Sequence, residues 1–130
     1  SVICSWTDPH WGRFSVQSFS NVNQAAPFLG HAGDAGISIC GYSILPYDGD
    51  HYGALGVDYL ILSYGGPTYS LGEGQGLSAD VLAGQKTHLI SSRKYWAPNV
   101  GWMAPAFVMS ECWKNNTSYD TFMVLIAPAE

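Results

Sequence analysis

The apolar residues of this chain come in short runs. The longest, residues 122–128, is strand-sized and falls well short of the ~18 consecutive apolar residues that a membrane-crossing helix requires. Residues 37–45 and 57–64 are further runs rich in β-branched and aromatic side chains, bounded by Gly, Pro and Asp, which is the signature of buried strands. Residues 106–113 and 119–127 form a second pair on either side of Lys114-Asn-Asn-Thr-Ser118. A short polar connection between two such runs predicts a hairpin with that segment at its tip. Residues 2–6 and 14–19 are weaker candidates for a fifth strand and an edge strand.

Helix signals are fewer. Ser78 can cap a helix over residues 79–90, with Leu77, Val81, Leu82, Leu89 and Ile90 tending to one side. Gly84 weakens it by about 1 kcal/mol relative to alanine. Ser20 can cap a shorter helix over residues 21–29, although Pro27 interrupts its ladder. The glycine-rich stretches at 65–67 and 72–76 are expected to be loops. Strands and helices together predict an α+β chain, an antiparallel sheet with helices packed on it. No repeat or linker divides it, so residues 1–130 are expected to form one domain.

Composition narrows the function. Of 130 residues, 47% are hydrophobic and only 12% charged, with 5 basic against 10 acidic residues and a net charge of -5. Disorder needs the opposite balance. Three lysines and two arginines cannot line a row of phosphates, which argues against a nucleic-acid partner. A start at Ser1 rather than methionine, with two overlapping glycosylation sequons at Asn115 and Asn116, points to a processed, secreted, extracellular glycoprotein. Cys4, Cys40 and Cys112 allow three pairings, each leaving one thiol. No Cys-x-x-Cys or Cys/His spacing suits zinc, and neither a metal nor a cofactor is expected.

Three clusters could carry chemistry. Tyr47-Asp-Gly-Asp-His-Tyr-Gly53 sets Asp48, Asp50, His51 and Tyr52 in one loop. Carboxylates there accept hydrogen bonds from sugar hydroxyls while rings cover the C–H face; the plainer reading is a solvated turn. Ser91-Ser-Arg-Lys-Tyr-Trp96 sets Arg93 and Lys94 beside Tyr95 and Trp96. This segment can stack on a sugar, or it can be a helix C-terminus with Trp96 in the core. Tyr69 is counted with these two groups as a further ligand-binding residue. The third cluster, Asp8-Pro-His-Trp-Gly-Arg13, surrounds a tryptophan best read as packing. Trp102 and Trp113 read as packing too, and His31 and His88 as lone histidines. No nucleophile elbow, zinc-protease motif or phosphate loop occurs. The enzymatic alternative is a small secreted hydrolase or ribonuclease using His10 or His51, Glu73 or Glu111, and Arg13 or Arg93. Nothing in their spacing selects among them.

Taken whole, the start Ser1-Val-Ile-Cys-Ser-Trp6, the length, the low charge and the segment Asn115-Asn-Thr-Ser118 resemble a family of small secreted ink-cap mushroom lectins. The resemblance implies a single-domain αβα sandwich around a five-stranded antiparallel sheet, and a homodimer that joins two sheets. It also implies recognition of GalNAc-β1,4-GlcNAc (LacdiNAc) glycans, fucosylated ones especially, on cell-surface glycoproteins. A cytotoxic, antiviral or defence role would follow. The expected function is therefore glycan binding without catalysis.

Overall fold

A computed structural model describes residues 2, 3, 5, 7, 16–46, 53–63, 68–83, 87–96 and 106–130. Six strands run in the order β1 (Phe28–Pro46), β2 (Leu55–Leu62), β3 (Tyr69–Leu71), β4 (Gly76–Ala83), β5 (Thr87–Tyr95) and β6 (Ala106–Ile126). They form one antiparallel sheet ordered β1-β6-β2-β5-β4, with β3 also pairing β6. No helix occurs among the described residues. The expected αβα sandwich is therefore wrong for this chain, and its elements are all β.

Both expected helices fail for identifiable reasons. Residues 79–83 belong to β4 and residues 87–90 to β5, which pair from Gly76↔Arg93 to Ala83↔Thr87. The presumed apolar stripe does not face one way, because Val81 and Leu82 are exposed while Leu89 and Ile90 are buried. Gly84, the weak point of the expected helix, lies outside the described residues. Ser78 is no cap: it is the extra residue at a bulge between Leu77 and Ala79. In residues 21–29, the Asn23 side chain accepts hydrogen bonds from the backbone of Ala25 (2.9 Å) and Ala26 (3.0 Å). Such an Asx turn offers the backbone an alternative to helix. Strand β1 then begins at Phe28.

The expected hairpin is also absent. Residues 106–126 are one strand, because both apolar runs pair with the same partner: Phe28 to Ser38 with Ile126 to Thr117, and Cys40 to Pro46 with Cys112 to Ala106. At the junction Ile39 alone faces residues 113–116, a bulge that leaves Asn115 and Asn116 exposed at a bend rather than at a hairpin tip. Bulges bend the strand that carries the extra residues. Beside this one, the directly paired Cys40 and Cys112 form a disulfide with Cα atoms 4.1 Å apart. That selects one of the three pairings open in the sequence. Of the weaker strand candidates, Val2, Ile3, Ser5 and residues 16–19 are irregular, and Cys4, Trp6, Phe14 and Ser15 lie outside the described residues.

The bend returns the first part of β6 across the face of β2 and β5. Trp96 stacks on Phe107 with ring centroids 4.8 Å apart, and Lys94 Nζ donates to Val108 O at 3.3 Å. Two hydrophobic clusters fill the space. One contains Leu45, Ala54, Trp96, Phe107, Met109, Met123 and Leu125; the other contains Leu60, Leu62, Ile90 and Trp113. Gly56 permits the close approach, since a Cβ there would stand 2.3 Å from Phe107 Cε1.

Candidate functional site

Strand alternation sends neighbouring residues of β5 to opposite faces. Ser92, Lys94 and Trp96 turn inward. Arg93 and Tyr95 turn outward and are exposed, Tyr95 at 66%. These two outward side chains line a cleft of about 600 Å³, within the range of small-ligand sites. Its opposite wall is the segment 17–22, and its floor includes Leu55, Ile126 and Pro128.

The segment is held along the C-terminus by backbone hydrogen bonds: Ala129 N donates to Asn21 O (2.7 Å), and Asn23 N to Ala127 O (3.1 Å). Asn21 adopts φ 56°, a left-handed conformation that asparagine tolerates better than most residues. Gln17 Nε2 donates to Ser91 Oγ at 2.8 Å, fixing the segment to β5 as well. From β4, the bulged Ser78 reaches the same cleft, in keeping with bulges re-aiming a side chain. The lining thus combines two rings, Tyr95 and Phe19, with neutral polar groups from Gln17, Ser18, Ser20, Asn21 and Ser78.

The sequence-nominated residues divide accordingly. Arg93 and Tyr95 come together in the cleft. Trp96 is 6% exposed and belongs to the core, and the Lys94 ammonium sits 5.7 Å from the Phe107 ring centroid, so both face away from the cleft. Tyr69 lies with the far end of β5. Its hydroxyl donates to Asp80 Oδ2 at 2.9 Å, its ring meets His88 edge-on at 5.6 Å, and His88 Nε2 bonds Asp80 Oδ1. His88 and Tyr95 lie at opposite ends of β5, roughly 20 Å apart at about 3.3 Å per residue. Burial, the bond to Asp80 and that carboxylate's charge push the Tyr69 phenol up to about 12. Burial works to raise Asp80, but hydrogen bonds from His88 and Tyr69 outweigh it and lower its carboxyl. His88 is therefore not a lone histidine. Asp48, Asp50, His51 and Tyr52 lie outside the described residues, as do Trp102 and the cluster at 8–13.

A second polar group lies inside the molecule, between the two hydrophobic clusters. Asp58, Ser92 and Glu111 come from three strands and are each at most 1% exposed. Ser92 Oγ donates to Asp58 Oδ1 (2.6 Å) and lies 3.1 Å from Glu111 Oε1. Gln75, from the turn before β4, donates to Ser92 Oγ (2.7 Å) and Glu111 Oε1 (3.0 Å). Its carbonyl oxygen accepts from Ser110 N at 2.7 Å. Burial first, then the neighbouring Asp58, push the Glu111 carboxyl up to about 9, against the pull of Ser92 and Gln75. Asp58 Oδ2 and Glu111 Oε2 have no other partner, and a proton held between the two acids satisfies both. Both acids are closed off from solvent at 1% exposure. The pair organises the core, whereas the cleft beside β5 is open to solvent.

Among the described residues no group of three or more His, Cys, Asp or Glu could hold a metal ion. No protein family, curated protein or solved structure matches the chain.

The cleft residues missed in the sequence are Gln17, Phe19, Asn21 and Ser78. Asn21 stands in the turn-forming run Ser20-Asn-Val-Asn23, which was available as a signal. The bulge at Ser78 depends on the register between two strands and has no local signature.

Proposed function

We propose that this chain is a secreted glycan-binding protein, a lectin without catalytic activity, and that the cleft between Tyr95 and the segment 17–22 is its sugar site. The observation that carries the reading is an exposed ring set among neutral hydrogen-bonding side chains in a cleft of about 600 Å³. A ring covers the C–H face of a sugar, and amide and hydroxyl groups meet its hydroxyls in either direction. Among the described residues the cleft lining contains no carboxylate or imidazole. The hydrolase or ribonuclease alternative gains nothing from Glu111, which is buried. Glycans bearing LacdiNAc, the ligands implied by the resemblance, belong in the first test. Among the described residues β1 and β4 are the edges of the sheet, and pairing of two copies there would supply the avidity that weak sugar sites need.

The test is a glycan array followed by calorimetry with the Tyr95→Ala and Asn21→Gly variants. The expected result is saturable binding to at least one glycan, weakened tenfold or more by Tyr95→Ala at unchanged melting temperature. An array without a hit, or full binding by both variants, would overturn the proposal.

A further inference from the structure

The described lining of the cleft carries one formal charge. Among the described lining residues Arg93 is the only Asp, Glu, Lys, Arg or His. Its guanidinium offers five donors in a planar fork, a shape matched to carboxylates. Among the described residues it has no ion-pair partner; the one ion pair there joins His88 to Asp80. Lys94, its neighbour in sequence, is turned inward toward Val108 O. An exposed cation without a counter-ion, in a chain of net charge -5, is a local reversal of the molecule's sign.

Arg93 and Tyr95 are alternate residues on the same outward face of β5, roughly 6.6 Å apart along the strand. A sugar stacked on the phenol ring therefore presents its substituents toward the guanidinium. We infer that the cleft selects an acidic glycan, one carrying a carboxylate or sulfate that Arg93 engages while Tyr95 holds the ring. The inference rests on the glycan-binding reading above and departs from the neutral LacdiNAc ligand that the resemblance implies. Charge-assisted, two-pronged hydrogen bonds are about twice as strong as neutral ones, so Arg93 dominates the choice between ligands that stack equally well.

The experiment uses matched glycans on one array, each neutral oligosaccharide printed beside its sialylated, glucuronylated and sulfated forms, probed with the whole chain and with Arg93→Gln and Arg93→Lys. Acidic members are expected to bind at least tenfold more tightly than their neutral counterparts. Arg93→Gln should erase that difference, weakening the acidic members at least tenfold more than their neutral counterparts. Arg93→Lys should keep more of the preference for sulfate than for the planar carboxylate. Raising salt from 50 to 500 mM should weaken only the acidic members. A response to carboxylated or to sulfated forms alone supports the inference and names the anion. Equal binding of neutral and acidic members, unchanged by Arg93→Gln, overturns it and leaves the lectin reading standing. No binding to any glycan overturns both.

Discussion

Asp58 and Glu111 face one another inside the core through a single serine hydroxyl, that of Ser92, 2.6 Å from one carboxyl and 3.1 Å from the other. The pair lies at the level where the returning part of β6 crosses β2 and β5, with one apolar cluster on each side. Two buried acids at this distance cannot both ionise without large cost, so the native state keeps a proton on the pair.

That proton sets a pH dependence. The Glu111 carboxyl is raised from 4.5 to about 9 in the folded protein, so between those values the native state holds a proton that the unfolded chain has released. The stability from this group is complete below pH 4.5 and is lost as pH rises toward 9. Melting temperature is expected to fall over pH 5 to 9, with a limiting slope of ~1.4 kcal/mol per pH unit from this site. Glu111→Gln should flatten the profile, and a variant with an unaltered slope would refute the assignment. Asp80, lowered by its partners, acts in the opposite sense and contributes only on the acid side, where its stabilisation is lost as pH falls.

Gly56 is expected to tolerate no side chain. A Cβ would stand 2.3 Å from Phe107 Cε1 and 3.0 Å from Met109 Sδ, and overpacking of this kind costs about 1–3 kcal/mol. Gly56→Ala should lower the denaturation midpoint, and adding Phe107→Leu should recover part of the loss. If the two effects simply add, the residues are not in contact.

Tyr95 and Trp96 are sequence neighbours with opposite tasks. Trp96→Ala should cost roughly 3–5 kcal/mol of stability, as large aromatic truncations do. Tyr95→Ala should change stability by no more than about 0.5 kcal/mol while weakening glycan binding. Denaturation and calorimetry on the same two variants separate these outcomes, and a stable Trp96→Ala protein would contradict the inward placement.

The Cys40–Cys112 bridge spans a sequence separation of 72. Closing a loop of that size stabilises by roughly 4 kcal/mol in the chain-entropy estimate. The double variant Cys40→Ala/Cys112→Ala should unfold at markedly lower denaturant, whereas Cys4→Ala should not. Peptide mapping under non-reducing conditions that found Cys4 in the bridge would overturn the pairing.

The sequence by itself determined which apolar runs become strands. Residues 37–45 and 57–62 are legible because β-branched and aromatic side chains between breakers suit a pleated, half-buried surface. The same logic marked Trp113 as core. It also marked Arg93 and Tyr95 as worth testing and offered Trp96 as a core residue, though not the inward turn of Lys94, since the segment was open to a helical reading as well.

Tertiary structure decided the rest. The stretch from Gly30 to Gly36 has little strand propensity, yet it pairs along residues 119–125 because a long apolar strand supplies it with a ladder. The polar segment 114–118 looks like a turn, and it became a bend within one strand because β1 continues past it on both sides. Residues 79–90 fit two periodicities, and pairing between β4 and β5 selected the extended one. Each of these outcomes depends on a partner distant in sequence, and local propensity is too weak to override the hydrogen bonds and burial that such a partner provides. The cleft follows the same rule: β5 supplied its ring and its charge, but the wall from 17–22 and the bulge at Ser78 exist only once the sheet has formed.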